Sequence, residues 1–289
     1  NTRIQFYASD GPDALRMLRE GVKIDPLHML SARGIKLYAD GAIGSRGAAF
    51  LEKYHDYDTS GFLIFEKEKT MPKLVEALKK GIQIQTHAIG DKGNKITLDW
   101  YEEAFNLVGQ DERLIQNPRW RIEHAQNIQP EDQVRYKELD IIASMQPSHA
   151  IGDLHFAERR LGLDRLKNAY VWRSLLDKGV KVVGGSDAPV EIGDLRIEFK
   201  AAIGRKDLDG FYAKGWHLEE AVERQDALKM FTKWASYSVF EEDIKGTIEA
   251  GKLADFTIMS KDIMTIPEDQ IMSSQVVMTI VGGKIVYSR

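Results

Sequence analysis

The chain has 289 residues, 43% of them apolar and 29% charged, enough for one large domain or for a domain with a smaller companion. Its net charge of −4 gives no basic footprint for nucleic acid, and with no cysteine it has neither disulfides nor thiolate metal sites. It contains no apolar run of about 18 residues and no signal-peptide pattern, so the expectation is a soluble cytoplasmic protein without a membrane partner.

Short apolar strands alternate with amphipathic helices. "RIQFYAS" (3–9) reads as a strand and "GPDALRMLREGV" (11–22) as a helix with an early proline and acid. "GIKLYADGA" (34–42) is a strand, "TMPKLVEALKKG" (70–81) a helix closed by glycine, and "IQIQTHAIGD" (82–91) the next strand. "NKITLDWYEEAFNLVG" (94–109) is a helix that glycine again stops. "RWRIEHAQ" (119–126) is a strand, and "PEDQVRYKELD" (130–140) a helix with proline in its first turn. "IIASMQPSHA" (141–150), "LKNAYVWRSLLDKG" (166–179) and "VKVVGGSDAP" (180–189) continue the alternation, which predicts parallel strands with helical crossovers.

A change of character follows. After a helical stretch at 218–240, the segments 246–260 and 275–289 read as strands, and "VGGK" marks a hairpin. The domain reading is 1–245 for the α/β part and 246–289 for a small β part.

A doubly wound sheet and a barrel share this rhythm. The polar residues of interest lie at the C-terminal ends of at least four strands, the layout by which a barrel gathers strand ends round one site. No G-x-G-x-x-G or phosphate-loop pattern supports the doubly wound alternative.

Those strand-end residues carry chemistry with competing explanations. His87 and His124 each follow an apolar run, and neutral imidazole is the commonest protein ligand for zinc-like metals; each is otherwise a hydrogen-bonded structural histidine. Asp187, in "GGSDAPVE", can bind a metal or take a proton from water, or simply shape a turn. Lys36 shares a strand face with Tyr38 and Asp40 by alternation. A buried ammonium there needs a partner, for which Asp40 serves, or it reacts as the neutral amine with carbon dioxide to give a carbamate. Arg46, in the glycine-rich "DGAIGSRGAAF", is either a bidentate grip for a substrate carboxylate or a surface arginine. The connection from Ala42 to about Thr70 is long enough for a lid. His149, in "MQPSHA", is a substrate contact or a loop histidine.

"IKLYADGAIGSRGAAF", "QTHAIGD", "RIEHAQ", "MQPSHA", "GGSDAPVE" and "GTIEAGKLADFTIM", in this order, resemble blocks of the amidohydrolase superfamily, and within it of amidohydrolase family 3, the YtcJ-like proteins. The resemblance spans nearly the whole chain. It implies a metal-dependent hydrolase on a distorted TIM (β/α)8-type barrel with a β-sandwich appended, acting on a small-molecule amide. By matching position, it implies that Lys36 is a carboxylated bridging ligand and that His87 and His124 are metal ligands. Asp187 would be both ligand and general base, with Arg46 and His149 near the substrate. The implied cofactor is one or two divalent ions, zinc foremost.

The family's first strand ends in His-x-His, and this chain contains no such pair. The expectation is therefore an incomplete barrel, strands three to eight only, with part of the sandwich. Its open edges would be covered by a preceding segment of a longer polypeptide or by a second copy. The competing expectation is a non-catalytic binding or structural remnant of such a barrel.

Overall fold

The computed structural model describes residues 3–289. The order of elements begins β1 (Ile4–Ser9), α1 (Pro12–Glu20), β2 (Lys23–Ile24), β3 (Leu30–Tyr38), α2 (Lys67–Lys80), β4 (Gln83–Ala88), α3 (Asp91–Leu107). It continues β5 (Arg121–His124), α4 (Pro130–Glu138), β6 (Ile142–Met145), α5 (Pro147–Asp153), α6 (Ala157–Leu161), α7 (Leu163–Leu166), α8 (Trp172–Asp177), β7 (Val182–Gly184). Last come α9 (Leu195–Gly204), α10 (Arg224–Met230), α11 (Lys233–Ser238) and the strands β8 (Phe256–Met259), β9 (Val276–Val281) and β10 (Lys284–Ser288).

The larger sheet has the order β1-β3-β4-β5-β6-β7, with the short β2 antiparallel beside β3. The pairings β1–β3, β3–β4, β4–β5 and β5–β6 are parallel. Helices α2, α3 and α4 are the crossovers between β3, β4, β5 and β6, and α3 packs on both α2 and α4. This is the α/β barrel layout read from the sequence, as an arc whose two ends are β1 and β7. The second sheet is antiparallel, β10-β9-β8. The β9–β10 hairpin turns on Gly282 and Gly283, both at positive φ, 57° and 77°, as a two-residue turn of the right twist requires.

The chain divides into two compact units. One holds residues 3–145 and 153–182, the other 146–152 and 183–289.

In the first unit the strands sort their side chains by alternation. Ile35, Leu37, Ile84, Ile122 and Ala143 are buried on one face, and the helices add Leu74, Leu78, Leu98, Tyr101 and Tyr136 to the core. The opposite face is polar. Register places Lys36, Gln85 and Arg121 in one row and Tyr38, His87, Glu123 and Ser144 in the next. Barrel interiors are usually filled by branched apolar residues, and this polar face departs from that filling. Gly34 is opposite Tyr7 on β1, and a Cβ there would lie 2.5 Å from the tyrosine ring; glycine makes room for that ring.

Several elements differ from their expected extents. Helix α3 begins three residues early, at Asp91, and Val108 rather than Gly109 ends it. The strand expected at 141–150 closes at Met145, and Pro147 opens the short helix α5. The helix expected over 218–240 is broken into a 3-10 turn, α10 and α11. Ala221 and Glu223 are extended, because the Val222 N–H donates to Ala202 O of α9, and Thr232 takes a non-helical φ of −131°.

Candidate active site

Three of the expected ligands lie on consecutive strands of the first unit: Lys36 and His87 on the polar face, and His124, which by alternation follows Ile122 rather than Glu123, with its ring against His87. Lys36 is on β3, His87 on β4 and His124 at the last position of β5. The His87 and His124 rings meet edge to face with centroids 4.4 Å apart. His87 also lies 5.9 Å from the Tyr38 ring, over which the Lys36 Nζ sits at 5.5 Å from the centroid. His124 is held at φ +72° and Ala125 at +45°. Side chains with a Cβ rarely take this left-handed conformation, and such strain collects at functional sites.

The donor chemistry suits a divalent ion of the zinc class. Two imidazoles stand side by side, and a lysine that carbon dioxide can convert to an oxygen donor is within the same cluster. Among the described residues, no three His, Asp or Glu side chains form a ready metal cage.

Asp40 is engaged by backbone N–H groups. It lies past the end of β3, fully buried, and accepts the N–H groups of Ala49 at 2.8 Å, Ile89 at 2.9 Å and Gly90 at 2.8 Å. Its Oδ1 is also 3.5 Å from His87 Nε2, and that nitrogen is 3.3 Å from Gly41 O. Burial pushes the Asp40 carboxyl up to about 7, against the pull of the three N–H donors. Asp40 thus ties the start of the long connection to the strand end that carries His87.

That connection is pinned rather than free. Ile43, Ala48, Ala49, Phe50 and Tyr54 are buried, Leu51 N–H donates to Asp91 Oδ1, and Ile64 N–H donates to Ala39 O. Arg46 forks onto Asp56, Nε at 3.1 Å and Nη2 at 2.9 Å, and Arg160 pairs with the same carboxylate. The guanidinium of Arg46 is thus engaged within the loop. These two arginines hold the Asp56 carboxyl down at about 2, Arg46 foremost.

In the second unit, Asp187 follows β7 in the left-handed conformation, φ +55°. His149, on α5, has its Nε2 at 3.9 Å from Asp187 Oδ2 and 3.8 Å from Glu191 Oε1. Burial lowers the His149 pKa, and the Asp187 charge offsets part of that. Beneath His149, Glu198 accepts the Ser148 N–H at 2.9 Å. Burial pushes its carboxyl up to about 7, with Glu191 and Asp194 adding to the rise and Ser148 opposing it.

Glu123 and Arg121 were not singled out from the sequence. Both are on β5, two residues apart and therefore on one face, with Arg121 Nε 3.1 Å from Glu123 Oε1. The guanidinium carbon lies 5.3 Å from the Tyr7 ring centroid. Burial alone would raise the Glu123 carboxyl; the charges of Arg121 and Lys36, the Ser144 hydroxyl and His87 outweigh it and hold the carboxyl below its ordinary value. The signal was present in "RWRIEHAQ", where charges at alternate positions fall within a strand flanked by strands.

A parallel α/β arc with imidazoles at the C-terminal ends of neighbouring strands defines a class, the barrels that collect a site from strand ends. The chain belongs to the amidohydrolase family, whose model matches residues 3–287. In Bacillus subtilis (strain 168) it is similar to YtcJ, named as an amidohydrolase, with 31% identity over 256 residues, 88% of this chain and 47% of that protein. It is also similar to the N-substituted formamide deformylase of Arthrobacter pascens, 26% identical over 266 residues, 91% of this chain and 47% of the other. Among solved structures, an uncharacterized metal-dependent hydrolase from Pyrococcus horikoshii OT3 superposes with a TM-score of 0.78 at 27% identity, covering 92% of this chain and 52% of that one. The chain therefore spans about half the length of the relatives it matches.

Proposed function

We propose that this chain forms part of a metal-dependent hydrolase that cleaves an amide-type, non-peptide C–N bond in a small molecule. The observation that carries the reading is the pair His87 and His124, with ring centroids 4.4 Å apart at the C-terminal ends of adjacent parallel strands. The deformylase relative supports the bond type, since an N-substituted formamide is a C–N substrate. His87 and His124 would hold a divalent ion, zinc foremost, and Lys36 as its carbamate would be a further oxygen donor. When bound, the ion polarises the scissile carbonyl and acidifies water. Asp187 would take a proton from the attacking water and return it to the leaving nitrogen. His149 orients the substrate beside Asp187. Arg46 contacts the substrate from the long connection, and its fork on Asp56 sets the guanidinium plane.

Metal analysis of the purified chain tests this. Zinc near one equivalent or more, lost in His87→Ala and His124→Ala, is the expected result, together with loss of C–N hydrolase activity in Asp187→Asn. A folded chain that takes up no metal from excess zinc supports the second reading, a non-catalytic remnant of the barrel. That reading is prompted by the missing His-x-His pair in the sequence.

A further inference from the structure

Glu123 occupies a position that the proposed chemistry leaves unexplained. A buried carboxylate next in sequence to the proposed metal-binding His124 is a strong candidate ligand in its own right. Its side chain is nonetheless turned along β5 toward Arg121, with 3.1 Å between Nε and Oε1, and the two side chains are only 9% and 12% exposed. In the parallel register Glu123 stands directly beside His87 on one side and Ser144 on the other, and Arg121 stands beside Gln85, the row neighbour of Lys36. Arg121 is itself fixed from its other side by the Tyr7 ring. A buried ion pair of this kind contributes little net stability, because desolvation of both charges offsets their attraction. Its presence on a sheet face that could have been apolar therefore asks for another role.

We propose that Glu123 is a positioning residue: turned toward Arg121 and standing beside His87 in the strand register, its carboxylate fixes the His87 side chain, so that this donor is oriented before an ion arrives. This inference rests on the metal reading given above. Outer partners that orient metal ligands typically change affinity about 10- to 100-fold when removed.

The test uses the full chain and three variants: Glu123→Gln, the double variant Arg121→Met with Glu123→Gln, and His87→Ala. Zinc affinity is read by competition with a chromophoric chelator, and thermal unfolding is followed on the metal-free protein. The expected result is zinc binding weakened about 10- to 100-fold in Glu123→Gln and in the double variant. The metal-free unfolding midpoint of the double variant should stay near that of the parent. Affinity within twofold of the parent in a folded Glu123→Gln overturns the proposal. So does a double variant that fails to fold, or whose midpoint falls along with its affinity, since the pair would then be structural. His87→Ala separates the two readings. If it retains zinc, the metal reading itself fails; if it loses zinc while Glu123→Gln does not, only the positioning role fails.

Discussion

Glu198 illustrates how a single buried carboxyl sets a pH dependence. Its folded-state value is about 7 against an ordinary 4.5, chiefly through burial. The folded protein therefore holds this proton more tightly than the unfolded chain across that window. The contribution of Glu198 to stability should be fully present below pH 4.5 and be lost as pH rises through 7, on the order of 3 kcal/mol in all. Glu198→Gln should flatten the fall, as read from unfolding midpoints over that range; parallel profiles for parent and variant would contradict the assignment. Lys36 gives a second residue-scale prediction. In the zinc-loaded chain, native mass should rise by one carbon dioxide, and Lys36→Ala should abolish the increment; a metal-loaded chain without the increment would reject the carbamate. His87 and His124 were legible in the sequence because each is a polar residue ending an apolar run. The fixing of Asp40 by three N–H groups was not, because its donors come from Ala49, Ile89 and Gly90, and only the folded chain brings them together. Glu123 was hidden for a different reason: on one strand, an alternating charge looks the same whether it faces solvent or a closed polar row.

At the scale of elements, the long connection meets the start of α3 in a close backbone contact. A Cβ on Gly90 would lie 2.0 Å from Ala49 O, and one on Gly93 would lie 2.7 Å from Asp40 Oδ2. Backbone cannot yield as a flexible side chain can, so Gly90→Ala should cost about 2–4 kcal/mol. It should also loosen the connection, measurable as faster amide exchange at Ala49 and Leu51 and faster proteolysis between residues 50 and 60. An unchanged exchange pattern would show that the contact does not hold the connection. The elements flanking this junction could be read from apolar periodicity and from caps such as Gly81, which closes α2 at φ +64°. The breaks within 218–240 could not. The local pattern there is helical, and what interrupts it is a hydrogen bond from Val222 to α9, a partner distant in sequence.

At the scale of the molecule, the sheet is an arc, and the arc has ends. Among the described residues, β1 pairs only with β3, and its sequence "IQFYAS" carries no charge, no proline and no inward lysine that would discourage a further strand. Ile4 and Phe6 are 52% and 45% exposed, and Leu30, the register partner of Ile4, is 48% exposed. A strand at the end of a sheet beside an apolar strip is a template for pairing with another chain. The chain studied alone should therefore associate. In sedimentation velocity, its weight-average coefficient should climb with concentration, whereas Phe6→Lys should stay near the monomer value because a charge at the edge disfavours the paired state. A parent chain that remains monomeric across the concentration range would show that the edge is inert. Association undiminished in Phe6→Lys would place the contact elsewhere on the surface. A longer polypeptide that supplies its own strand beside β1 provides the complementary arm: association should vanish there without any substitution, because the backbone groups of β1 would already be paired.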